Sequence, residues 1–302
     1  MLLNHECDYR LQTGQFTIKY SQSELAYLYL PTREEYMIIY IMNGQHALFV
    51  RDRSYQLQQG DIAFIPAGEI HRNVTSPSVT GDKLIIEFHP DFISPMQALF
   101  METELLHPFS NPYKVLHLAE EERRFVESAC MRMMQEMNGR PAEFEMAVRM
   151  LLTELLLQCG VRRQTGQEQP ESASANSLHA KISEIAQFVS LHFTERISLS
   201  QIAVQFQFNP SYLSKLFKQI TGFSYVEYVS ILRVKASQQP LIESKEAVAD
   251  IAERMGFDSL THFGRVFKAY VGMTPTAYRL LHRSQPTSRK TLKPSKPQLS
   301  RA

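Results

Sequence analysis

Two short stretches of this chain carry residue types suited to reading a polyanion. In the first, Ser211, Ser214, Lys215 and Lys218 are interleaved with the apolar Leu213, Leu216, Phe217 and Ile220. In the second, Leu260, Thr261, Gly264, Arg265 and Lys268 are interleaved with Phe263, Val266, Phe267 and Tyr270. At about 3.6 residues per turn, each spacing predicts a helix with one buried apolar stripe and one face of short, hydroxyl or basic side chains. Lys and Arg can reach guanine acceptors and phosphates, and hydroxyls can pair with either, so both faces suit a DNA major groove. One charged helix face alone reads as solvated surface; two in tandem, each after a capped turn, favour base and phosphate readout. Ser211, Ser214 and Lys215 are expected to read one half of a site and Thr261 and Arg265 the other, with Lys218 and Lys268 placed for phosphate.

The elements that must position these faces form a repeat. Aligning Leu216-Phe217-Lys218 with Val266-Phe267-Lys268 also aligns Gly222 with Gly272, Ser224 with Thr274 and Tyr228 with Tyr278, at an offset of 50 residues. Upstream, Ile202-Ala203 and Phe208-Asn209 match Ile251-Ala252 and Phe257-Asp258 at an offset of 49, so the second copy has one extra residue in its turn. Ser198-Leu199-Ser200-Gln201 has the form of a capping box. Ala203 leaves room for a crossing helix, Asn209 can cap the next helix and Pro210 occupies its first position. Helix, tight turn and helix are therefore expected twice.

The N-terminal half has another rhythm. Short alternating runs predict strands at Phe16–Tyr20, Leu25–Leu30, Tyr36–Ile41, His46–Val50, Ser54–Leu57, Asp61–Pro66 and Lys83–Phe88, with turns at Asn43-Gly44 and Gln59-Gly60. Many short strands with tight connections imply a sandwich or barrel. Gly60, Pro66, Gly68 and His71 stand as Gly-x5-Pro-x-Gly-x2-His, which resembles the second motif of the cupin barrel. Metal-binding cupins add a His-x-His pair and a Glu from an earlier strand; here that strand reads Pro31 to Met37 without paired histidines. A single His cannot hold a divalent ion, so no metal or cofactor is expected. Met37, Ile39 and Ile41, with His71 near the mouth, are the candidate lining of a small-molecule effector pocket. The alternative is a packed apolar core with His71 hydrogen-bonded to backbone.

From Glu120 to Gln158 the pattern is helical, broken at Gly139-Arg140-Pro141. The second of these helices is apolar around much of its girth through Met150-Leu151-Leu152 and Leu155-Leu156-Leu157, which suits burial against both its own domain and a second copy. A homodimer is expected on that ground, against the alternative that both helices only cover the barrel. Residues 161–178 are polar and linker-like, and residues 283–302 hold five basic residues between Arg289 and Arg301 with no acid, reading as a disordered basic tail.

Charge divides with this organisation. Residues 1–179 hold 15 Lys and Arg against 23 Asp and Glu, and residues 180–302 hold 17 against 8. A polyanion partner for the C-terminal half follows. Cys7, Cys130 and Cys159 lack metal-ligand spacing and are expected to be reduced structural thiols. No apolar run is long enough for a bilayer and no signal pattern opens the chain, so a cytoplasmic location without a membrane partner is expected. Gly-rich phosphate loops, His-Glu-x-x-His and nucleophile elbows are missing, and an enzyme is not expected.

Gly256-Phe257-Asp258-Ser259, Phe263-x-Arg265-Val266-Phe267-Lys268 and Gly272-Met273-Thr274-Pro275-x-x-Tyr278-Arg279 together resemble the signature of AraC-type (AraC/XylS) transcription regulators. The resemblance covers both repeats, roughly residues 180–282, and the barrel with two following helices matches the effector and dimerisation domain of that family. It implies an α+β multidomain chain: a cupin-like sensor barrel over 1–115, a helical dimerisation segment over 116–160, a linker over 161–178, an all-α double helix-turn-helix domain over 179–282 and the tail. It further implies two recognition helices entering successive major-groove turns of double-stranded promoter DNA, about 34 Å apart, and a barrel ligand that alters DNA binding, usually to activate transcription through RNA polymerase. Three residues depart from the family pattern. Gln207 replaces a turn Gly and is expected to take a left-handed conformation; Gly264 weakens the second recognition helix; Pro240 is expected to kink or end the helix connecting the repeats. Two other readings stay open: a metal-dependent cupin enzyme fused to a DNA-binding module, and a regulator whose barrel is a ligand-free dimerisation scaffold.

Overall fold

A computed structural model describes residues 7–22, 34–74, 81–100, 103–110, 114–164 and 177–283. The expected strand Leu25–Leu30 and the tail after Arg283 lie outside the described residues. The chain divides into two compact units, residues 1–233 and 234–302.

The first unit opens with β1 (Cys7–Arg10), β2 (Phe16–Ser21), β3 (Tyr36–Ile41), β4 (Gln45–Val50), β5 (Arg53–Gln58), β6 (Asp61–Ile65), β7 (His71–Val74), β8 (Lys83–Phe88) and β9 (Val115–His117). They pair antiparallel in two sheets, ordered β1-β2-β8-β3-β6-β9 and β5-β4-β7. Asn43-Gly44 and Gln59-Gly60 turn as their composition predicts, with Gly44 at φ 74 and Gly60 at φ 88. Successive side chains of a strand face opposite ways. Met37, Ile39 and Ile41 accordingly pack with Leu48, Val50 and Leu57 of the other sheet, and Ile38 and Tyr40 join the cluster beneath the helices. Three strands escaped the sequence reading. β1 and β9 are short edge strands, and in β7, His-Arg-Asn-Val, only Val is apolar. The barrel thus runs past residue 115, to His117.

Helices α1 (Pro90–Leu99) and α2 (His107–Ser110) lie between β8 and β9, and α3 (Glu120–Gly139) and α4 (Phe144–Gln164) follow β9. Arg140 ends α3 in the left-handed conformation at φ 45. On α4, Val148, Leu151, Leu152, Leu155 and Leu156 are buried in the cluster that also holds Val126, Met133 and Met137 of α3. The helix's apolar excess is thus mostly covered within its own domain, leaving Met146 and Met150 exposed. α4 runs to Gln164 and α5 (Ser177–His192) starts at Ser177, so both ends of the expected 161–178 linker are helical.

The first repeat comprises α6 (Leu199–Gln205), α7 (Pro210–Thr221) and the start of α8 (Tyr225–Glu243), and the second comprises α9 (Val248–Arg254), α10 (Leu260–Val271) and α11 (Pro275–Arg283). The division between the units falls within α8. Pro240 does not end that helix, which continues to Glu243. Near a C-terminus, a proline forfeits a single amide donor with only one turn left to disturb. Arg283, assigned by sequence to the tail, closes α11 and donates to the carbonyls of Ile242 and Ser244. No described helix is long and apolar enough to cross a membrane.

Candidate nucleic-acid interface and barrel mouth

In the first repeat, Ser198 Oγ accepts from Gln201 N at 3.3 Å while the Gln201 side chain accepts from Ser198 N at 2.8 Å, a complete capping box. The turn closes with Phe208 N donating to Ala203 O at 2.7 Å, and Gln207 sits at φ 58. The expected left-handed residue is thus present. Asn209 Oδ1 then accepts from Ser211 N at 3.0 Å and Tyr212 N at 3.3 Å, with Pro210 at the first helical position. Gly222 at φ 77 terminates α7. These caps fix where the helix starts and stops, and so the direction in which its face points.

Leu213, Leu216, Phe217 and Ile220 are buried, and Ser211, Ser214, Lys215 and Lys218 are exposed. Tyr212 is also exposed, at 48%, with its ring 6.2 Å from that of Phe208. The sequence reading gave Tyr212 no role. A large ring on a helix that also needs core residues carries no label of its own; its place between Ser211 and Lys215 was the available signal, and its hydroxyl suits a phosphate.

The second repeat builds the same object differently. Its turn residue is Gly256, at φ 86, and Phe257 N donates to Ala252 O at 3.0 Å. Ser259 Oγ caps α10 by accepting from His262 N at 3.2 Å, and Gly272 at φ 82 ends it. Asp258 is the extra turn residue. Leu260, Thr261, Arg265 and Lys268 are exposed, and Phe263 and Phe267 are fully buried. Val266 and Tyr270, expected to be buried, are half-buried, and Val271 completes the stripe instead. A Cβ added at Gly264 would meet nothing within 4 Å.

The barrel candidates separate. Met37 and His71 line a shallow hollow of about 270 Å³, part of it open solvent, together with Glu35, Ile65, Glu69 and Glu87. Ile39 and Ile41 do not reach it: at 1% and 0% exposure they sit inside the packed core between the sheets, where the small barrel is filled by side chains. His71 Nδ1 lies 2.9 Å from Glu69 O, the backbone hydrogen bond foreseen as the plainer reading. Lys19 Nζ pairs with Glu87 at 3.0 Å beneath the mouth. Among the described residues, no group of three His, Cys, Asp or Glu side chains is placed to hold a metal ion.

Comparison with known proteins agrees with this division. Residues 30–136 match the family model of the AraC-like ligand binding domain, and residues 202–280 match that of a helix-turn-helix domain. Among curated relatives from Bacillus subtilis (strain 168), the chain is 37% identical over 114 residues to the HTH-type transcriptional regulator YtdP, covering 37% of this chain and 15% of that protein. It is 30% identical over 123 residues to the HTH-type transcriptional regulator YobQ, covering 37% and 51%. It is 31% identical over 103 residues to the bifunctional transcriptional activator/DNA repair enzyme AdaA, covering 34% and 49%. The chain thus spans about half or less of the length of these relatives. Among solved structures, ToxT from Vibrio cholerae O395 is similar at TM-score 0.34 and 13% identity, over 88% of this chain and 97% of that one.

Proposed function

This chain is of the AraC type, and on that premise we propose that it is a sequence-specific DNA-binding transcription regulator, an activator, whose N-terminal barrel answers to a small-molecule effector. The observation that carries the reading is the pair of capped helices, each with an apolar stripe buried and a hydroxyl and basic face left to solvent. Ser211, Ser214 and Lys215 read one half-site and Thr261 and Arg265 the other; Leu260 offers an apolar contact to a thymine methyl, and Lys218, Lys268 and Tyr212 take phosphates. Met37 and His71 at the barrel mouth, with Glu35 and Glu69, form the effector site. Met146 and Met150 on α4 are the patch left for a homodimer contact. The protein works in the cytoplasm, with RNA polymerase as its second partner.

The test is retention of genomic DNA fragments by the full chain at near-physiological salt, followed by sequencing. Enrichment of a few promoter-proximal sites is expected. Uniform weak retention that disappears with added salt would reduce the basic face to electrostatics and sink the reading.

The sealed positions of Ile39 and Ile41 favour a second reading, in which the barrel is a ligand-free dimerisation scaffold. Full promoter occupancy by protein that has never met an added compound, unchanged by Met37→Trp at the mouth, would select it over the effector reading. A monomer by light scattering at micromolar concentration would remove the dimer from both.

A further inference from the structure

Within the first unit, the β5-β4-β7 sheet carries the first helix-turn-helix repeat on its outer side. Arg72 on β7 donates to Gly222 O at 2.5 Å, pairs with Glu227 at 3.4 Å and lays its guanidinium 3.8 Å from the centre of the Phe223 ring. A Cβ at Gly222 would fall 2.5 Å from Arg72 Cδ, so glycine serves this contact as well as the helix end. Phe49 of β4, fully buried, packs edge-on against Phe223 and Tyr228 with ring centres 6.1 and 5.7 Å away. Tyr228 donates its hydroxyl to Arg51 O at 2.7 Å, and burial raises its pKa well above the usual phenol value, so it stays a donor. On the far side of the seat, Ser183 Oγ of α5 accepts from Ser54 N at 3.3 Å.

The same residues border the mouth. His71 faces the hollow while its neighbour Arg72 faces the repeat, as the pleat of a strand requires. Arg51, whose carbonyl receives Tyr228, donates its own amide to Ile70 O at 2.6 Å and approaches Glu69 of the hollow at 3.7 Å. Meanwhile Ser211, Ser214, Lys215 and Lys218 remain exposed, so this seat holds the first reading head without covering it.

We infer that the outer face of this sheet is an intramolecular docking seat, latched by Arg72, that fixes the orientation of the first recognition helix, and that segment 69–72 and Arg51 couple its closure to the barrel mouth. The inference rests on the proposed effector site for its purpose but not for its measurement. Amide exchange of the full chain reads the seat directly. Arg72→Ala should raise exchange in 222–231 and 51–56 at least about tenfold and leave β2, β3 and β8 protected. If that variant is poorly folded, Glu227→Gln keeps an acceptor oxygen for Ser224 and should raise exchange in the same segments by about threefold. Glu69→Gln should also loosen 222–231, by a similar factor, while Glu35→Gln on the same hollow should not. Unchanged exchange in folded Arg72→Ala and Glu227→Gln overturns the latch; equal effects of Glu69→Gln and Glu35→Gln overturn the coupling. A chain that binds no specific DNA would defeat the proposed function and leave these exchange results standing.

Discussion

The two helix-turn-helix repeats share their recognition-helix geometry and differ in what supports it. In both, a polar side chain caps the recognition helix, a left-handed glycine ends it, and a tyrosine six residues after that glycine packs on a phenylalanine of the helix, as Tyr228 does on Phe217 and Tyr278 on Phe267. The leading helices differ more. α6 starts at a complete capping box, whereas α9 starts at Ala247, which makes no side-chain cap. There the bidentate pair of Arg254 with Glu246, 2.7 and 3.3 Å, ties the helix end to the segment before it, and Arg254 holds the Glu246 carboxyl below its usual range. The first repeat bears the strained turn residue, Gln207, and is seated on the barrel; the second has Gly256 in the turn and belongs to the smaller unit. One sequence pattern can thus present the same exposed polar face from two kinds of support, because the caps and the apolar stripe of each helix decide which residues stay outside.

The largest effects should come from the paired core phenylalanines. Phe217→Ala and Phe267→Ala each remove a fully buried ring and should each destabilise by about 3–5 kcal/mol. Differential scanning calorimetry should show the first lowering the transition of the barrel-bearing unit and the second lowering that of the C-terminal unit. A single transition moved equally by both would erase the distinction between the two supports.

Next come the reading heads. Arg265→Ala should weaken binding by roughly 1–3 kcal/mol and relax base preference in one half-site, and Lys215→Ala should do the same in the other. Titrations against operator variants substituted in either half separate these effects. A uniform loss over all sequences would make the residue a phosphate contact.

Exchange of the turn residues comes third. Gln207→Gly should stabilise by about 0.4–1 kcal/mol, since its φ is already 58, and Gly256→Gln should destabilise by about 1 kcal/mol or more. Urea denaturation followed in each unit gives the sign; a loss on Gln207→Gly would mean that its side chain contributes more than its backbone strain costs. The smallest change is Gly264→Ala. With open space around the added methyl, it should stabilise α10 by about 0.5–1 kcal/mol without lowering DNA affinity, and a drop in affinity would place the bare backbone at Gly264 against the DNA.

Much of this was legible before any coordinates. Asn209-Pro210, Ser198 with Gln201 and the left-handed Gln207 are local features, decided within a few residues, and the structure has each of them. β3 and β8 keep their expected bounds because both are dense in large apolar residues, β3 throughout and β8 at Leu84, Ile85, Ile86 and Phe88. β7 was illegible because only Val74 of its four residues is apolar and Arg72 finds its acceptor 150 residues away, at Gly222. Ile39 and Ile41 could not be told from Met37 by pattern, since all three share one face of one strand and one buried cluster, and only the packing of the other elements decides that Met37 alone of them borders the hollow.

By itself, then, the sequence determined the repeat, the capped turns, the two exposed faces and the alternation of strands, because each follows from short-range geometry and periodic burial. Tertiary structure alone decided that the barrel interior is filled below its mouth, that α4 covers most of its apolar girth at home, and that Arg72 meets Gly222 across 150 residues of chain. Contacts at that separation are set by how whole sheets and helices pack, and no local spacing encodes them.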